Sequence, residues 1–586
     1  MSPLLSSHDD DKILSMDAIT LSKAIQQKRS VTCKQLMKAT LNRIDEINPT
    51  FNAIILLRDR DVLLQKAKDC DRELEARSKE ENDSDADADR TKINSLGWLH
   101  GIPVAIKDVS NAEGLPTTMG GSPLFCSKLG LKAATFSELY VEHMVREGAI
   151  VIGKTNAPEG GLGSNTFNER WGKTLNPFAM TATAAATNVD TDNEASNNTE
   201  NNHSISAGGS SGGAAVAVTT RMLVVADGTD NMGSLRNPAG WNNIYSLRPT
   251  AGLIPSTPKP SLPASSFLPH PASTPGPMAR TPLDCARLLQ TMVGDTDRFD
   301  AGSLWMTPKE NATTEGKDPN ADAFPASVRI GWLGDWRGRL PMEDGILSTC
   351  EEALENWSPA SSKGDNKNKI SCIALETYSA NNDGSMQQLF DFDKLWEGYN
   401  TIRFASTYET VSQHFDVDNL LSTKEGRALI KEELAWELEQ GRSIDTEALH
   451  RARAIYDAYE EWLHGIFFHG CRPDKNTNSK SFDVLALPSA QVWPFPIDDR
   501  YPKAIGGTKM NTYHRWMEVC VPVSFGGLPC VTIPAGFGKK QNHSDTPQLP
   551  PLPIGIQLFG RKGDDIKLLR LANEYYHHNS RRNAPN

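Results

Sequence analysis

The sequence predicts an α/β fold in which helices pack over a β-sheet core, and three observations carry that prediction. Two short β-branched runs ended by turn residues, PVAIKD at 103–108 and IVIGKTN at 150–156, flank a helical stretch over Thr135–Glu147. That order is a strand–helix–strand unit of the doubly wound kind. Strand-like runs return late in the chain, DVLAL at 483–487, PCVTIP at 529–534 and IGIQLF at 554–559, so both halves contribute to the sheet. Helical periodicity dominates between about 384 and 470.

Taken in order, the chain opens on apolar residues recurring at three and four: Ile19, Leu21, Ala24 and Ile25, then Leu36, Ala39, Leu41 and Ile44. This is the pattern of two amphipathic packing helices between Asp17 and Ile47. A third helical run is expected to end near Leu74, followed at 78–95 by a solvated loop too polar to bury anything. A strand LVVAD at 223–227 enters a loop dense in Gly, Asp, Asn and Ser. VRIGWLG at 328–334 reads as a strand in an otherwise helical region, and a final helix is expected over Asp564–Tyr576. Residues 181–204 are low in complexity and read as an inserted surface segment, either a tolerated insertion or a flap at the mouth of a site. The expected organisation is an N-terminal helical region with its polar loop (1–95), a first part of the core (96–300), a mainly helical subsidiary region (301–480) and a second part of the core (481–586). Together these make one continuous domain, with no internal repeat.

Composition excludes several classes. The 586 residues carry a formal net charge of −12 at pH 7, which argues against a nucleic-acid partner because phosphate neutralisation needs clustered Lys and Arg. Nine cysteines without CxxC spacing indicate reduced, mostly buried thiols rather than disulfides or a zinc ribbon. The start MSPLLSSHDDDKIL lacks a basic segment followed by an apolar one, and no run of about 18 apolar residues occurs. The expectation is a cytoplasmic protein with no membrane association. The Asn-x-Ser/Thr triplets, as at Asn197 and Asn311, carry no weight without secretion. No metal is expected: HExxH is missing, and the pair His577-His578 sits near a polar tail.

Three blocks bear chemistry. In GIPVAIKD, Lys107 ends an apolar strand, where desolvation would lower its pKa and leave a neutral amine able to act as a base. The bland reading pairs it with Asp108 or lets it snorkel to water. SAGGSSGGAAVAV at 206–218 is a glycine-rich turn into a small-residue helix, presenting N–H groups and hydroxyls at a helix N-terminus unless it is a plain linker. It is no phosphate-binding P-loop, because the Gly-Lys-Ser/Thr ending is absent. ADGTDNMGSLRNPAGWNN at 226–243 centres on Ser234, with consecutive N–H groups from Asn231 to Ser234 suited to one concavity, or else forms an ordinary polar turn.

Together these blocks resemble the amidase signature family, whose GxPxxxKD strand, GGSSGG turn and TDxGGSxR loop read here GIPVAIKD, GGSSGG and TDNMGSLR. IVIGKTNAPE, LRPTAGLIP, GPMARTPLD, DVLALPS, GLPCVTIPAGF and LPIGIQLFGR follow in the family's order. The resemblance implies a mixed β-sheet core sandwiched between helices and a small-molecule amide substrate. It implies Ser234 as nucleophile, Ser210 as bridging serine and Lys107 as base, with no cofactor. The backbone N–H groups of Asn231, Met232, Gly233 and Ser234 become the oxyanion hole, supported by Ser211, Asp230 and Arg236. Residues 300–480 resemble nothing specific.

One departure stands out: the family's Gly-Gly before the nucleophile is Met232-Gly233 here. If that position needs φ > 0, methionine is strained there by about 1 kcal/mol or more; otherwise it narrows the acyl pocket. Trp241, Trp396 and Trp493 are candidates for pocket lining or for core.

Rival readings remain open. Gly209–Gly213 formally fits G-x-S-x-G with Ser211 in the middle, an α/β-hydrolase elbow if a strand precedes it. A glutaminase-type subunit of a tRNA-dependent amidotransferase shares the signature, and a non-catalytic member of the fold is the third alternative. Assembly as a homodimer is the remaining partner expectation.

Overall fold

The computed structural model describes residues 8–83, 96–179, 204–255, 273–294, 327–357, 369–374, 378–380, 386–388, 390–469, 481–538 and 550–582. The insert at 181–204, apart from Ser204, lies outside them, as do 84–95 of the polar stretch and the triplets at Asn197 and Asn311.

Two amphipathic helices form where the apolar spacing predicts them. Ala18–Gln26 is capped by Asp17, and Cys33–Phe51 by a capping box between Thr32 and Gln35. The third helix, Arg60–Asp83, runs past Leu74 into the charged stretch. Glu, Ala, Arg and Lys are good helix formers, and pairs such as Arg77–Glu73 at 3.2 Å support the helix beyond Leu74. Polarity there argued against burial, not against helix.

The strand–helix–strand unit forms as β1 (Pro103–Lys107), α1 (Leu139–Arg146) and β2 (Ile150–Thr155), with the two strands parallel. It belongs, however, to a separate three-stranded sheet completed by the antiparallel strand Ile54–Leu57, not to a large doubly wound sheet.

The main sheet has eight strands: β3 (Val225–Asp230), β4 (Tyr245–Arg248), β5 (Thr274–Ala279), β6 (Ser327–Trp332), β7 (Lys369–Ala374), β8 (Val484–Pro488), β9 (Cys530–Gly538) and β10 (Leu552–Phe559). Their spatial order is β7-β6-β8-β10-β9-β4-β5-β3. The pairs β7·β6 and β6·β8 are parallel and the rest antiparallel, which makes the sheet mixed. Every residue of β8 and β10 is buried, as strands covered on both faces require. Helices Pro282–Val293, Ile346–Trp357 and Asp565–Arg582 pack on it. The last runs six residues beyond the expected Tyr576.

β3 starts later and ends later than the LVVAD run suggested, because Val225–Asp230 pairs residue for residue with Thr274–Ala279. Cross-strand pairing overrides the turn preference of Asp227-Gly228, and it carries the strand to the edge of the Ser234 loop.

The region after 301 lays β6 and β7 into this sheet and then turns helical. Helix α2 (Asp393–Ser412) packs against α3 (Glu432–Arg442) and against Thr446–His464. Val411, Val417, Leu420, Ile430, Leu434, Ala435 and Leu438 form a small core of their own, closed by Leu124. The described cysteines are free thiols, with Cys33, Cys285, Cys350, Cys520 and Cys530 buried.

Candidate active site

Lys107 ends β1 and is fully buried. Its Nζ lies 2.8 Å from Ser210 Oγ, 2.8 Å from Ser211 Oγ, 2.9 Å from Thr229 Oγ1 and 3.4 Å from Thr229 O. Among the described residues no carboxylate is bonded to it. Asp108 turns the other way, accepting from Thr118 N at 2.9 Å, from the Thr118 hydroxyl and from Gly120 N at 3.1 Å. Both bland readings of this lysine therefore fall. Burial lowers its pKa to about 7 against the opposing pull of Asp227 and Asp230. As a neutral amine it holds a lone pair among three hydroxyls, any of which can donate to it.

Asp227 fixes the strand end that carries Lys107. Its Oδ1 accepts the Lys107 backbone N–H at 3.0 Å and its Oδ2 the Tyr140 hydroxyl at 2.7 Å. Burial raises the Asp227 pKa.

The glycine-rich block is a built turn, not a linker. Gly208 has φ +78, and a Cβ there would stand 2.5 Å from Asn237 Oδ1. The following Gly209–Ser210 peptide is cis. Thr166 N donates to Gly208 O at 3.1 Å and Gly209 N to Asn237 Oδ1 at 3.1 Å. The helix Gly212–Thr219 follows as expected, but its first amides serve the protein: Gly212 N donates to Thr166 Oγ1 at 3.2 Å and Gly213 N to Asn156 O at 3.3 Å. What the turn presents is its two hydroxyls, Ser210 and Ser211, both on Lys107. Among the described residues, 204–210 lead into Ser211 with no sheet strand, only the isolated bridges at 205 and 206, so the α/β-hydrolase elbow is excluded.

Ser234 follows β3 and retains 8% exposure. Its carbonyl accepts Ser211 N at 3.2 Å, which ties the two serine loops together. Among the described residues its hydroxyl makes no hydrogen bond. Lys107 and Ser210 are thus brought into direct contact, while Ser234 is tied to their neighbour Ser211 through its carbonyl and, among the described residues, bonds to neither of them, a looseness common before substrate binds.

The turn before Ser234 corrects two expectations. Met232 is not among the positive-φ residues; the position that needs glycine is Gly233, at φ +90, where a Cβ would meet Cys520 Sγ at 2.6 Å. The methionine is therefore unstrained. Gly233 also leaves the donor set, because its N–H is bound to Asp230 Oδ1 at 2.8 Å. Asn231, Met232 and Ser234 keep N–H groups that no described acceptor takes.

Asp230 and Arg236 support the loop from beneath. The Asp230 carboxylate accepts Gly233 N, then Leu235 N at 3.1 Å, Arg236 Nε at 3.0 Å and Nη2 at 2.9 Å, and Arg248 Nη1 at 3.2 Å. Burial alone would raise its pKa, but the two guanidiniums hold it well below the carboxylate range. Arg236 spends its other donors on Cys520 O, Gln557 Oε1 and Ser524 Oγ, so it braces the loop and does not reach substrate.

Some expectations are simpler than foreseen. Trp241 stacks on Trp516 at 5.7 Å in the core, Trp493 donates to Asp344 O at 3.0 Å, and Trp396 lies against His514 at 4.9 Å. All three are packing residues. Among the described residues no three His, Cys, Asp or Glu side chains gather as a metal site, and no helix is long and apolar enough to cross a membrane.

The sequence reading missed Thr229, Asp227, Tyr399 and Arg403. Thr229 and Asp227 stand inside or beside the TDNMGSLR motif and were visible. The other two lie on α2, in sequence without a motif. The Tyr399 hydroxyl is 2.8 Å from Asn231 Oδ1, and Arg403 Nη1 is 3.8 Å from Met232 Sδ.

The chain as a whole is similar to several known proteins. The amidase family profile matches residues 35–187, 181–356 and 370–569. An acylamidase of Rhodococcus erythropolis is 26% identical over 92% of this chain and 90% of its own length. A glutamyl-tRNA(Gln) amidotransferase subunit from Aromatoleum aromaticum is 26% identical over 95% of this chain and 96% of its own. Among solved structures, a bacterial aryl acylamidase of the amidase signature family superposes with a TM-score of 0.69 at 20% identity, covering 97% of both chains. A 6-aminohexanoate cyclic dimer hydrolase complexed with substrate gives 0.64 at 20% identity, over 96% of this chain and 97% of that one.

Proposed function

Since this chain belongs to the amidase signature family and is an amidase acting on carbon–nitrogen amide bonds, we propose that Ser234 is its nucleophile, Ser210 the proton bridge and Lys107 the base. The observation that carries the assignment is the fully buried Lys107 Nζ at 2.8 Å from Ser210 Oγ. A serine hydroxyl is a poor nucleophile until something takes its proton. Neutral Lys107 draws the Ser210 proton, Ser210 takes that of Ser234, and Ser234 Oγ attacks the amide carbonyl. The negative oxygen that forms lies against the N–H groups of Asn231, Met232 and Ser234, each such donor being worth about 3 kcal/mol. Ser210 then hands its proton to the leaving nitrogen and recovers one from Lys107. Water clears the acyl-enzyme by the same path, giving carboxylate plus amine or ammonia. Substrate binding has to close the gap between the two serine hydroxyls.

The substrate reading is an acyl amide handled by the free-standing chain, in keeping with its likeness to the acylamidase. The equal identity to the amidotransferase relative favours a second reading, a glutaminase that works within a complex. Purified protein offered simple acyl amides and glutamine separates the two. A cytoplasmic homodimer is the corresponding location and assembly; light scattering tests the latter.

The mechanism is tested by a fluorophosphonate probe followed by peptide mass spectrometry. The adduct is expected on Ser234, and it is expected to vanish in Ser234→Ala. An adduct on Ser210 or Ser211 instead would overturn the assignment.

A further inference from the structure

In a trans peptide the N–H and the preceding carbonyl point opposite ways, so whatever holds a carbonyl aims the next N–H. Two of the three available donors before and at Ser234 are aimed from within the signature core. Asp230 O accepts from Arg248 Nη1, which orients the Asn231 N–H, and Gly233 O accepts from Asn237 N at 2.8 Å, which orients that of Ser234.

The plane between residues 231 and 232 is held from elsewhere. Tyr399, on α2, places its hydroxyl 2.8 Å from Asn231 Oδ1 and 3.5 Å from Asn231 O. It is 4% exposed, and burial raises its pKa, so the phenol stays a donor. One turn further along the same helix, Arg403 Nη1 reaches Met232 Sδ at 3.8 Å. Arg403 is in turn held by Glu437 Oε1, 2.8 Å from its Nε, and by the Tyr513 hydroxyl, 2.9 Å from its Nη2. Residues one turn apart on a helix share a face. α2 therefore grips residues 231 and 232 together.

We infer that Tyr399 is a positioning residue for the hydrolysis, fixing Asn231 so that the Met232 N–H faces the developing oxyanion. The inference rests on the oxyanion-hole reading above. It gives the helical region after residue 390 a part in the chemistry, completing from outside a donor set that the sheet leaves unfinished. The competing role is packing, since the Tyr399 ring also meets Phe525 edge-on with centroids 6.5 Å apart.

Tyr399→Phe keeps the ring and removes only the hydroxyl. On a good amide substrate, kcat is expected to fall about tenfold, the worth of one neutral hydrogen bond, with KM and melting temperature unchanged. Affinity for a boronic acid that adds to Ser234 falls by the same factor, while that for the carboxylate product does not. Asn231→Ala removes the partner and keeps the backbone donor, so the double variant loses no more than either single one. A Tyr399→Phe enzyme with wild-type kcat, or losses that multiply in the double variant, would overturn the inference. Ser234→Ala measured alongside keeps the two ideas apart. If it stays active, the assignment of Ser234 as nucleophile, on which the oxyanion reading depends, has failed; if it is dead while Tyr399→Phe is normal, only the positioning claim has.

Discussion

Two buried arginine–carboxylate groups flank residues 231–234, and they come from different parts of the chain. On the sheet side, Asp230 takes Arg236 and Arg248 within one signature block and the strand after it. On the helical side, Arg403 pairs with Glu437 at 2.7 Å across α2 and α3. Both are shielded from water, but the sheet-side group sets two positive charges against one negative and the helical one is balanced. The first binds the Ser234 loop through its backbone; the second, among the described residues, reaches that loop through Met232 Sδ, with Tyr399 one turn away on the same helix. Chemistry written locally in the sequence is thus braced by an element whose sequence carries no sign of it.

The comparison breaks first if the sheet side is not where the chemistry lies. Ser234→Ala and Lys107→Ala are each expected to lower kcat/KM on an amide by about 10⁴-fold or more, since nucleophile and base act as a unit. Ser210→Ala is expected to retain slow turnover, roughly 10²- to 10³-fold down, because water can partly replace a proton bridge. Steady-state hydrolysis of one amide by all three variants checks the order; Ser210→Ala falling furthest would reverse the roles.

Stability sharpens the contrast. Asp230→Asn strands two buried guanidiniums and is expected to cost about 3–5 kcal/mol. Glu437→Gln strands one and keeps an oxygen for one of the Thr407 and Tyr513 hydroxyls, which take different carboxylate oxygens, while the other hydroxyl can accept from the new amide, so about 2 kcal/mol is expected. Urea midpoints at constant slope measure both. A Glu437→Gln loss equal to the Asp230→Asn loss would erase the distinction between loop and brace.

How far the site could be read in advance follows the same line. Lys107, Ser210, Ser211, Asp230, Arg236 and the 231–234 loop all sit where short-range chemistry constrains the residue type: a desolvated strand end, a turn needing Gly208, a tight loop needing Gly233. Such constraints leave motifs. Tyr399 and Arg403 do not, because an arginine on a helix looks the same in sequence whether it is solvated or buried against Glu437. The fold divided likewise. Helices and strands followed their periodicity, whereas the split into a three-stranded and an eight-stranded sheet depends on long-range pairing that no local pattern records. Residues 78–83 show the converse, a helix kept by propensity where polarity suggested a loop. That Gly233 gives its N–H to Asp230 instead of the oxyanion was beyond reach too, since it hangs on the direction of one carboxylate.

The central claim is that Lys107 works as a neutral amine, and the pH dependence of kcat/KM tests it most directly. Burial puts the Lys107 pKa at about 7, far below an exposed lysine. Below that pH the base is protonated and the rate falls about tenfold per unit; above it the base is free and the rate levels off. The account predicts a rise with an apparent pKa near 7 and a plateau by about pH 9. A rate that climbs without a plateau through pH 10 would mean an ordinary exposed lysine or another base, and would contradict it.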